Sequence, residues 1–181
     1  MRRGPRSNTL SDLSLTILPE QPEDDPAIEK LYERTFGPGR FARSAYRLRE
    51  DAEHRRELSF TARIGTLLVG SVRLTPVRIG EASALLLGPL TVEPPFRAHG
   101  IGAALIEASL AAAKKAGARL VLLVGDEPYY GRLGFKKVPR GQVKLPGPVD
   151  PERVLIAELA DGASANIAGL VRPDWTAAKP V

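Results

Sequence analysis

The chain has 181 residues, 43% of them hydrophobic and 26% charged, which is typical of an ordinary globular domain rather than a disordered chain. It contains no cysteine, which excludes disulfides, thiolate metal sites and a covalent cysteine nucleophile, and its two histidines are too few for a convincing zinc site. The net charge is +5, but basic residues alternate with acidic ones between Arg47 and Glu57, which indicates a solvated helical face rather than a nucleic-acid surface.

The N-terminal part of the chain predicts a flexible tail, a strand and two helices. Residues 1–12 lack periodicity and are predicted to be the tail, and residues 13–18 alternate apolar and polar side chains as a strand does. Asp25 is a candidate N-cap for the first helix, which should end at Gly37. A second apolar stripe predicts another helix over residues 41–53.

Three strands should follow as an antiparallel meander. Residues 58–63 and 66–77 are separated by a tight Ile-Gly turn, and a second turn leads into residues 82–92, the most apolar and therefore the central strand. Because Pro89 cannot donate a ladder hydrogen bond, the sequence predicts a bulge or splay near residues 88–90.

The remainder of the chain predicts a crossover helix and two more strands. A helix over residues 101–116 should pack on the sheet and end at Gly117. Its predicted buried residues are Ile101, Ala104, Leu105, Ala108, Ala111 and Ala112. Residues 119–124 should form a buried strand parallel to the central one if the crossover is right-handed. Residues 153–158 are predicted to be the last strand, followed by a loose C-terminal segment over residues 161–181.

The turn before the crossover helix has the layout of an anion site. Arg97, Gly100 and Gly102 give the pattern Arg-x-x-Gly-x-Gly, whose glycines let backbone N–H groups face a ligand at the positive end of the helix. A Rossmann fingerprint would need a third glycine where Leu105 stands, and a P-loop would need Gly-Lys-Ser/Thr. The spacing therefore predicts phosphate binding but fits neither of those nucleotide sites.

A second motif follows the next strand. Tyr130 and Gly134 belong to a Tyr-x-x-x-Gly-Phe sequence, which a Gly-Asp pair and a further tyrosine precede. Together with the loop, which Val92 and Pro94 frame, this motif resembles the GNAT superfamily of N-acetyltransferases, and in particular one bacterial subgroup of it. The resemblance is specific over residues 85–136 and only architectural before them.

The resemblance implies an α+β fold with a mixed, mainly antiparallel sheet that is flanked by helices and opened as a V beside the loop. It implies a single N-acetyltransferase domain over residues 13–160, with acetyl-CoA as the cosubstrate. The residues implied to bind it are Leu90, Thr91, Val92, Arg97, Ala98, His99, Gly100, Ile101, Gly102, Ala103 and Tyr130. Arg97 would steady either the loop or a phosphate, and His99 would be an exposed spacer or touch the pyrophosphate.

Acetyl transfer to an amine needs a polarised carbonyl, a neutral amine and a proton for the leaving thiolate. Backbone N–H groups near residues 90–92 are candidates for the first role, and by the resemblance Tyr130 is the general acid, unless it simply packs beside the cofactor. The candidates for a base are Asp126, Glu127, Glu81 and Glu93. Spacing favours none of them; Asp126 is kept as a catalytic candidate, with turn capping as its alternative role. Since no cysteine can carry the acetyl group and nothing marks an activated serine, attack should be direct, in a ternary complex.

The predicted function is therefore acetylation of a primary amine on a small molecule or a peptide. A non-catalytic acyl-CoA-binding sensor of the same fold is the main rival, and a nucleotide-binding module is a more distant one. The acceptor contacts should come from variable elements at about residues 37–51, where Phe36, Phe41 and Tyr46 are either core residues or walls of a substrate pocket. The sequence does not name the acceptor or the range of acyl groups.

The expected partners and location follow from what the sequence lacks. No apolar run approaches the roughly 20 residues of a membrane helix, and no apolar signal segment follows the basic first residues. These features predict a cytoplasmic protein without membrane or nucleic-acid partners, and they leave a homodimer open.

Overall fold

The computed structural model describes residues 14–38, 44–50 and 52–176. Its helices are α1 (Asp25–Phe36), α2 (Ser44–Glu50), α3 (Ile101–Lys115) and α4 (Glu127–Tyr130). Its strands are β1 (Leu15–Pro19), β2 (Phe60–Ile64), β3 (Leu67–Ile79), β4 (Ala82–Val92), β5 (Leu120–Val124), β6 (Lys136–Lys137), β7 (Val143–Lys144), β8 (Val154–Glu158) and β9 (Gly169–Pro173). None of the helices in these ranges is long and apolar enough to cross a membrane.

The strands form one mixed sheet with helices on both faces. Seven of them lie in the order β1-β2-β3-β4-β5-β8-β6, and β9 pairs with both β3 and β7. Among the described strands, the parallel pairs are β4 with β5 and β7 with β9. On β3, Leu68 packs with α1 and its neighbour Val69 with α3, so the two helices cover opposite faces. This confirms the predicted α+β class.

The predicted meander and central strand are confirmed. β2, β3 and β4 are antiparallel neighbours, and β4 has the predicted bounds. It lies between β3 and β5, and Leu85, Leu86 and Leu87 are all buried. The apolar run on this strand is thus explained by burial on both faces.

Three helix details differ from the predictions. Asp24 rather than Asp25 is the N-cap of α1, because the carboxylate of Asp25 is hydrogen-bonded to Arg56 and Arg73 instead. The helix predicted over 41–53 is described as Ser44–Glu50, and residues 39–43 and 51 lie outside the described ranges.

The buried face of α3 is also rotated from the predicted one. Ile101 and Leu105 are buried as predicted, but Ile106, Ser109 and Ala113 are buried as well, whereas Ala111 is exposed. Alanine is common all round this helix, so its apolar pattern does not single out one face. The packing partner decides the face, and α3 does begin and end near the predicted residues, with Gly117 at a φ of +88° just beyond it.

The prediction of a loose segment after residue 160 is wrong for its middle part. β9 pairs antiparallel with the second half of β3, matching Ile79 with Val171, which is 1% exposed. β3 has 13 residues and β2 only five, so the end of β3 needs another partner. β8 is therefore not the last strand. The tail predicted over 1–12 lies outside the described residues.

The sheet opens where the functional motifs meet. β4 pairs with β5 at Leu85 and Leu86 alone, opposite Val121 and Leu122, although β4 continues for six more residues to Val92. The two parallel strands therefore diverge, as the predicted V-shaped opening requires. The second half of β4, the start of α3 and the short α4 surround that opening.

Candidate active site

The bulge predicted from the proline of β4 is present in the middle of that strand. Val72 of β3 pairs with Leu90, but Leu74 pairs with Leu87, so one residue of β3 faces two residues of β4. The first of these two, Gly88, has a φ of +131°, a conformation that favours glycine. The bulge interrupts the hydrogen-bond ladder at the level where β4 has already left β5.

The predicted cofactor loop connects the end of β4 to α3. The Nε of Arg97 donates to the carbonyl of Val92 at 3.0 Å, so this guanidinium steadies the loop. Ala98 and Gly100 have positive φ angles of 63° and 77°, and α3 begins at Ile101. The exposed turn thus leads directly into a helix N-terminus, whose first N–H groups have no partners within the helix.

The other predicted cofactor residues differ in what they can offer a ligand. The side chains of Thr91 and Ile101 are buried, so these two residues can contribute only backbone groups. His99 is exposed, in agreement with its predicted role as a spacer. The remaining four, which are partly exposed, are Leu90, Val92, Gly102 and Ala103.

Tyr129, the further tyrosine of the second motif, is a neighbour of the cofactor loop. A Cβ at Gly102 would lie 2.6 Å from the Tyr129 hydroxyl, so glycine at this position makes room for that side chain. Partial burial raises the pKa of Tyr129, which keeps its hydroxyl a hydrogen-bond donor. The structure therefore joins the second motif to the loop through this contact.

Tyr130 lies beside the opening of the sheet. Its ring packs against Gly125, where no side chain would fit, and it meets the rings of Tyr129 and Phe135 edge-on at centroid distances of 4.9 and 6.0 Å. Burial, with smaller contributions from Tyr129 and Asp126, raises the pKa of Tyr130 to about 12. The phenol therefore keeps its proton throughout the neutral range.

Asp126 stands at the edge of the same opening in an ordinary structural role. Its carbonyl accepts the N–H groups of Tyr129 and Tyr130, and its carboxylate, 75% exposed, lies 3.1 Å from the Nε of Arg153. Glu81, in the turn before β4, lies at the other end of that strand and is 90% exposed. Asp126 therefore occupies the N-cap position of α4, but its side chain makes the ion pair with Arg153 rather than a capping hydrogen bond.

A cavity of about 700 Å³ opens between α1, α2 and the sheet. Aromatic side chains from both helices, Tyr32, Phe36 and Tyr46, form part of its wall, and Tyr130 and the Gly88–Pro89 bulge border it. The structure thus favours the substrate-wall interpretation of Phe36 and Tyr46, whereas Phe41 lies outside the described residues. Of the four predicted bases, Asp126 is the one that lines the described cavity.

A buried ion-pair cluster adjoins this cavity, and two of its members, His54 and Arg73, line it. The carboxylate of Glu20, whose side chain is 0% exposed, accepts two hydrogen bonds from Arg73 at 3.0 and 2.9 Å, one from Arg56 at 2.9 Å and one from His54 at 2.7 Å. Asp25 accepts from the same two arginines. Burial by itself raises the pKa of Glu20, but the hydrogen bonds and charges of His54 and Arg73 outweigh it, so the pKa is lowered and the group stays ionised.

The geometry of loop, bulge and second motif agrees with a comparison of the sequence with known families. The profile of the Acetyltransferase (GNAT) family matches residues 26–135, which is more than half of the chain. The chain belongs to the GNAT family. The matched GNAT segment contains the bulge, the loop and Tyr130, and it ends at Phe135.

Two relatives extend this likeness. The N-acetyltransferase YhbS of Escherichia coli K12 is 28% identical over 159 residues, which are 87% of this chain and 95% of YhbS. The N-acetyltransferase YjhQ of the same organism is 32% identical over 117 residues, covering 62% of this chain and 65% of YjhQ. The match to YhbS extends beyond the GNAT profile to most of the chain.

Solved GNAT structures share the fold and hold the cofactor. The structure of YhbS from Escherichia coli in complex with CoA superposes with a TM-score of 0.75 at 25% identity, covering 96% of this chain and 94% of that one. A GNAT acetyltransferase from Brucella melitensis, in complex with acetyl-CoA, gives 0.58 at 30% identity over 78% and 94% of the two chains. This protein is accordingly an acetyl-CoA-dependent acyltransferase, with acetyl-CoA as its cosubstrate.

The cluster of Glu20, His54 and Arg73 was missed by the sequence analysis. These residues are separated by 34 and 19 positions and form no motif. One signal was available in the sequence. Arg73 is a charged residue between Val72 and Leu74 in the apolar strand β3, where both of these neighbouring residues are buried. A charge in such a place requires a buried partner.

Proposed function

We propose that this enzyme transfers the acetyl group of acetyl-CoA to a primary amine bound in the cavity between α1, α2 and the sheet. The observation that carries the proposal is that three features converge on one opening. The bulge at Gly88 and the side chain of Tyr130 line the cavity where β4 leaves β5, and the glycine turn before α3 follows directly on the free end of β4. An amine in the cavity would approach the thioester from the side that the cofactor loop leaves open.

The proposed cofactor contacts run from the end of β4 to the start of α3. Backbone groups of residues 90–92 would hold the pantetheine and polarise the thioester carbonyl, since β4 has parted from β5 before these residues and one edge of the strand is open to a ligand there. The turn at 97–103 would hold the pyrophosphate on the N-terminus of α3. Tyr130 would complete the site beside the sulfur.

The proposed role of Tyr130 follows from its protonation. A phenol with a pKa of about 12 is a weaker acid than a CoA-type thiol near 8.5, so complete transfer to a free thiolate is uphill by about 5 kcal/mol. Tyr130 would therefore donate a hydrogen bond to the sulfur as charge develops, and pass its proton as the C–S bond breaks. As the C–S bond breaks, the nitrogen of the new amide loses a proton, and transfer of that proton to the Tyr130 oxygen can restore the phenol.

Gly100→Val should abolish the stabilisation that CoA gives this protein. At a hundredfold excess over the dissociation constant, CoA should raise the free energy of unfolding by about 2.7 kcal/mol. Gly100 has a φ of +77° that a β-branched residue adopts poorly, so the variant should distort the turn that presents the N–H groups. Thermal unfolding with and without CoA measures this effect.

Gly117→Val is the matched control for that variant. Gly117 has a φ of +88° at the other end of α3, and like Gly100 it has open space where a Cβ would go. The control should carry the same backbone strain and keep the full response to CoA. An undiminished response in Gly100→Val would show that the turn does not bind the cofactor.

Initial rates should give intersecting double-reciprocal plots with acetyl-CoA and an amine acceptor. This pattern is expected because the chain has no cysteine to carry an acetyl group, so both substrates must be bound together. The measurement is thiol release from acetyl-CoA against a panel of primary amines, followed by rate matrices for the best acceptor. Parallel plots with a trapped acetyl-enzyme would contradict direct attack, and CoA binding without thiol release from any amine would favour the sensor.

A further inference from the structure

A histidine and a buried glutamate form a dyad on the wall of the acceptor cavity. The Nε2 of His54 lies 2.7 Å from Oε1 of Glu20, whose side chain is 0% exposed. The His54 side chain is 15% exposed and lines the cavity. Because a carboxylate only accepts hydrogen bonds, Nε2 carries the hydrogen, which leaves Nδ1 as the acceptor of the neutral ring.

The dyad is fixed at the level of the bulge. Arg73, which donates two hydrogen bonds to Glu20, is the β3 residue that faces the bulge of β4, since its neighbours pair with Leu87 and Leu90. The N–H of Arg55 donates to the carbonyl of Leu74 at 2.8 Å, which ties the backbone next to His54 to the same part of β3. The imidazole is thereby placed on the side of the sheet from which an amine would reach the thioester.

The chemistry of the acceptor requires a base at this place. An alkylamine with a pKa near 10.4 is almost entirely an ammonium ion at pH 7, and forming the neutral amine costs about 4–5 kcal/mol. Imidazole is the side chain that ordinarily changes charge near neutral pH. Two of the predicted bases are already engaged by guanidinium groups: Asp126, which lines the cavity, is exposed and paired with Arg153, and Glu93 is paired with Arg34.

We propose that His54, oriented by Glu20, is the general base that deprotonates the acceptor ammonium; this rests on the acetyl transfer proposed above. Nδ1 takes a proton from the ammonium, directly or through one water molecule, and the freed lone pair attacks the thioester carbonyl carbon. The C–N bond forms, the C–S bond breaks with a proton delivered to sulfur, and the imidazolium returns its proton to solvent. The balance is one ammonium and one thioester converted to an amide, a thiol and a proton.

The surrounding charges suit this role. Glu20 and Asp25 contribute two negative charges, which Arg73 and Arg56 balance. The other charged side chains that line the cavity besides His54 and Arg73 are Glu29, Arg49, Glu50, Asp126, Asp150 and Arg153. Glu29 lies 3.7 Å from Arg73 and is 54% exposed, so a substrate ammonium has acidic groups near its path into the cavity.

The test compares two acceptors of the same length in the variant His54→Gln. One is the best alkylamine from the panel, and the other is the alkoxyamine in which an oxygen replaces the CH₂ next to nitrogen, a neutral nucleophile at pH 7. The variant should lose about 10²–10⁴-fold in kcat/KM with the alkylamine at pH 7, but no more than a few-fold with the alkoxyamine. The alkylamine deficit should shrink as the pH rises towards the pKa of the amine itself.

Arg56→Gln is the matched control, since it removes a partner of Glu20 and Asp25 but keeps the imidazole. The ratio of kcat/KM for the alkylamine to kcat/KM for the alkoxyamine should be the same in Arg56→Gln as in the parent enzyme. The assignment would be overturned if His54→Gln lowered kcat/KM equally for both acceptors. It would also be overturned if Arg56→Gln changed the ratio of the two kcat/KM values as much as His54→Gln does, and the role of the cluster would then be structural. Absence of thiol release from the parent enzyme with every amine of the panel would defeat the proposed function as well, whereas CoA binding and parental activity that persist in His54→Gln would defeat this inference alone.

Discussion

Tyr130→Phe should lower kcat by about 10²–10⁴-fold, which corresponds to about 3–5 kcal/mol of activation free energy. The substitution removes one oxygen and almost no volume, so the ring contacts with Tyr129 and Phe135 remain. The loss should appear in kcat because a hydrogen bond to the departing sulfur is made in the transition state and not in the ground state. The measurement is kcat and KM with an amine from the panel.

Two controls separate chemistry from binding in that experiment. The CoA dissociation constant and the unfolding temperature of Tyr130→Phe should match the parent. Tyr129→Phe loses the hydroxyl beside Gly102, so its effect should fall on the KM for acetyl-CoA rather than on kcat. A kcat for Tyr130→Phe within about threefold of the parent, where chemistry limits the rate, would leave water as the proton donor.

The pH dependence offers a further check on Tyr130. Because its pKa is about 12, the hydroxyl keeps its proton up to far above neutral pH, and it would be lost as a donor only as the pH approaches that value. We therefore expect no fall in kcat from this group between pH 7 and 10. A descending limb centred near pH 8, and absent in Tyr130→Phe, would contradict this.

Glu20→Gln should lower the free energy of unfolding by about 3–5 kcal/mol, because breaking a buried ion pair leaves its partner charge uncompensated. Arg73, 13% exposed, would keep only Asp25 and the more distant Glu29 as acidic partners. Urea denaturation measures the change. Glu57→Gln is the control, since Glu57 is 42% exposed and pairs with Arg55 on the surface, where such pairs contribute about 0–1 kcal/mol.

The effect of Glu20→Gln should also depend on pH. The pKa of Glu20 is lowered in the folded protein from its ordinary value of 4.5, and the hydrogen bond to Arg56 lowers that of Asp25 from 3.8. A depressed folded pKa gives stability that is present above the unfolded pKa and lost as the pH falls through the folded one. The parent should therefore lose stability below about pH 4.5, and Glu20→Gln should lose less. If the free energy of unfolding fell equally with decreasing pH in the parent and in Glu20→Gln, Glu20 would not contribute to the pH dependence of stability.

Much of the fold could be predicted because the signals are local. The period of two in β2–β4, the Ile-Gly turn and the position of Pro89 depend on residues close in sequence, and the structure confirms the meander, the central strand and the bulge. The loop and the Tyr-x-x-x-Gly-Phe motif predicted the family for the same reason. Each is a short segment whose backbone geometry limits its residue types.

Other features depended on partners far away in the chain. β9 exists because the end of β3 lacks a neighbour beyond β2, and a five-residue segment carries too little pattern to reveal this. The buried face of α3 was only partly predicted, because alanine occurs on every side of the helix and packing against the sheet decides which face is buried. The contact of Tyr129 with Gly102 joins two motifs across 27 positions.

The fold class, the family and the cofactor could be predicted before folding was considered, because two short motifs carry the family resemblance that implies all three. Only the tertiary structure decided the surroundings of the acceptor. It paired the base candidate Asp126 with Arg153, and it assembled Glu20, His54 and Arg73 at the bulge. The physical reason is that a buried charge is stable only among compensating partners, and folding alone brings those partners together from separate parts of the chain.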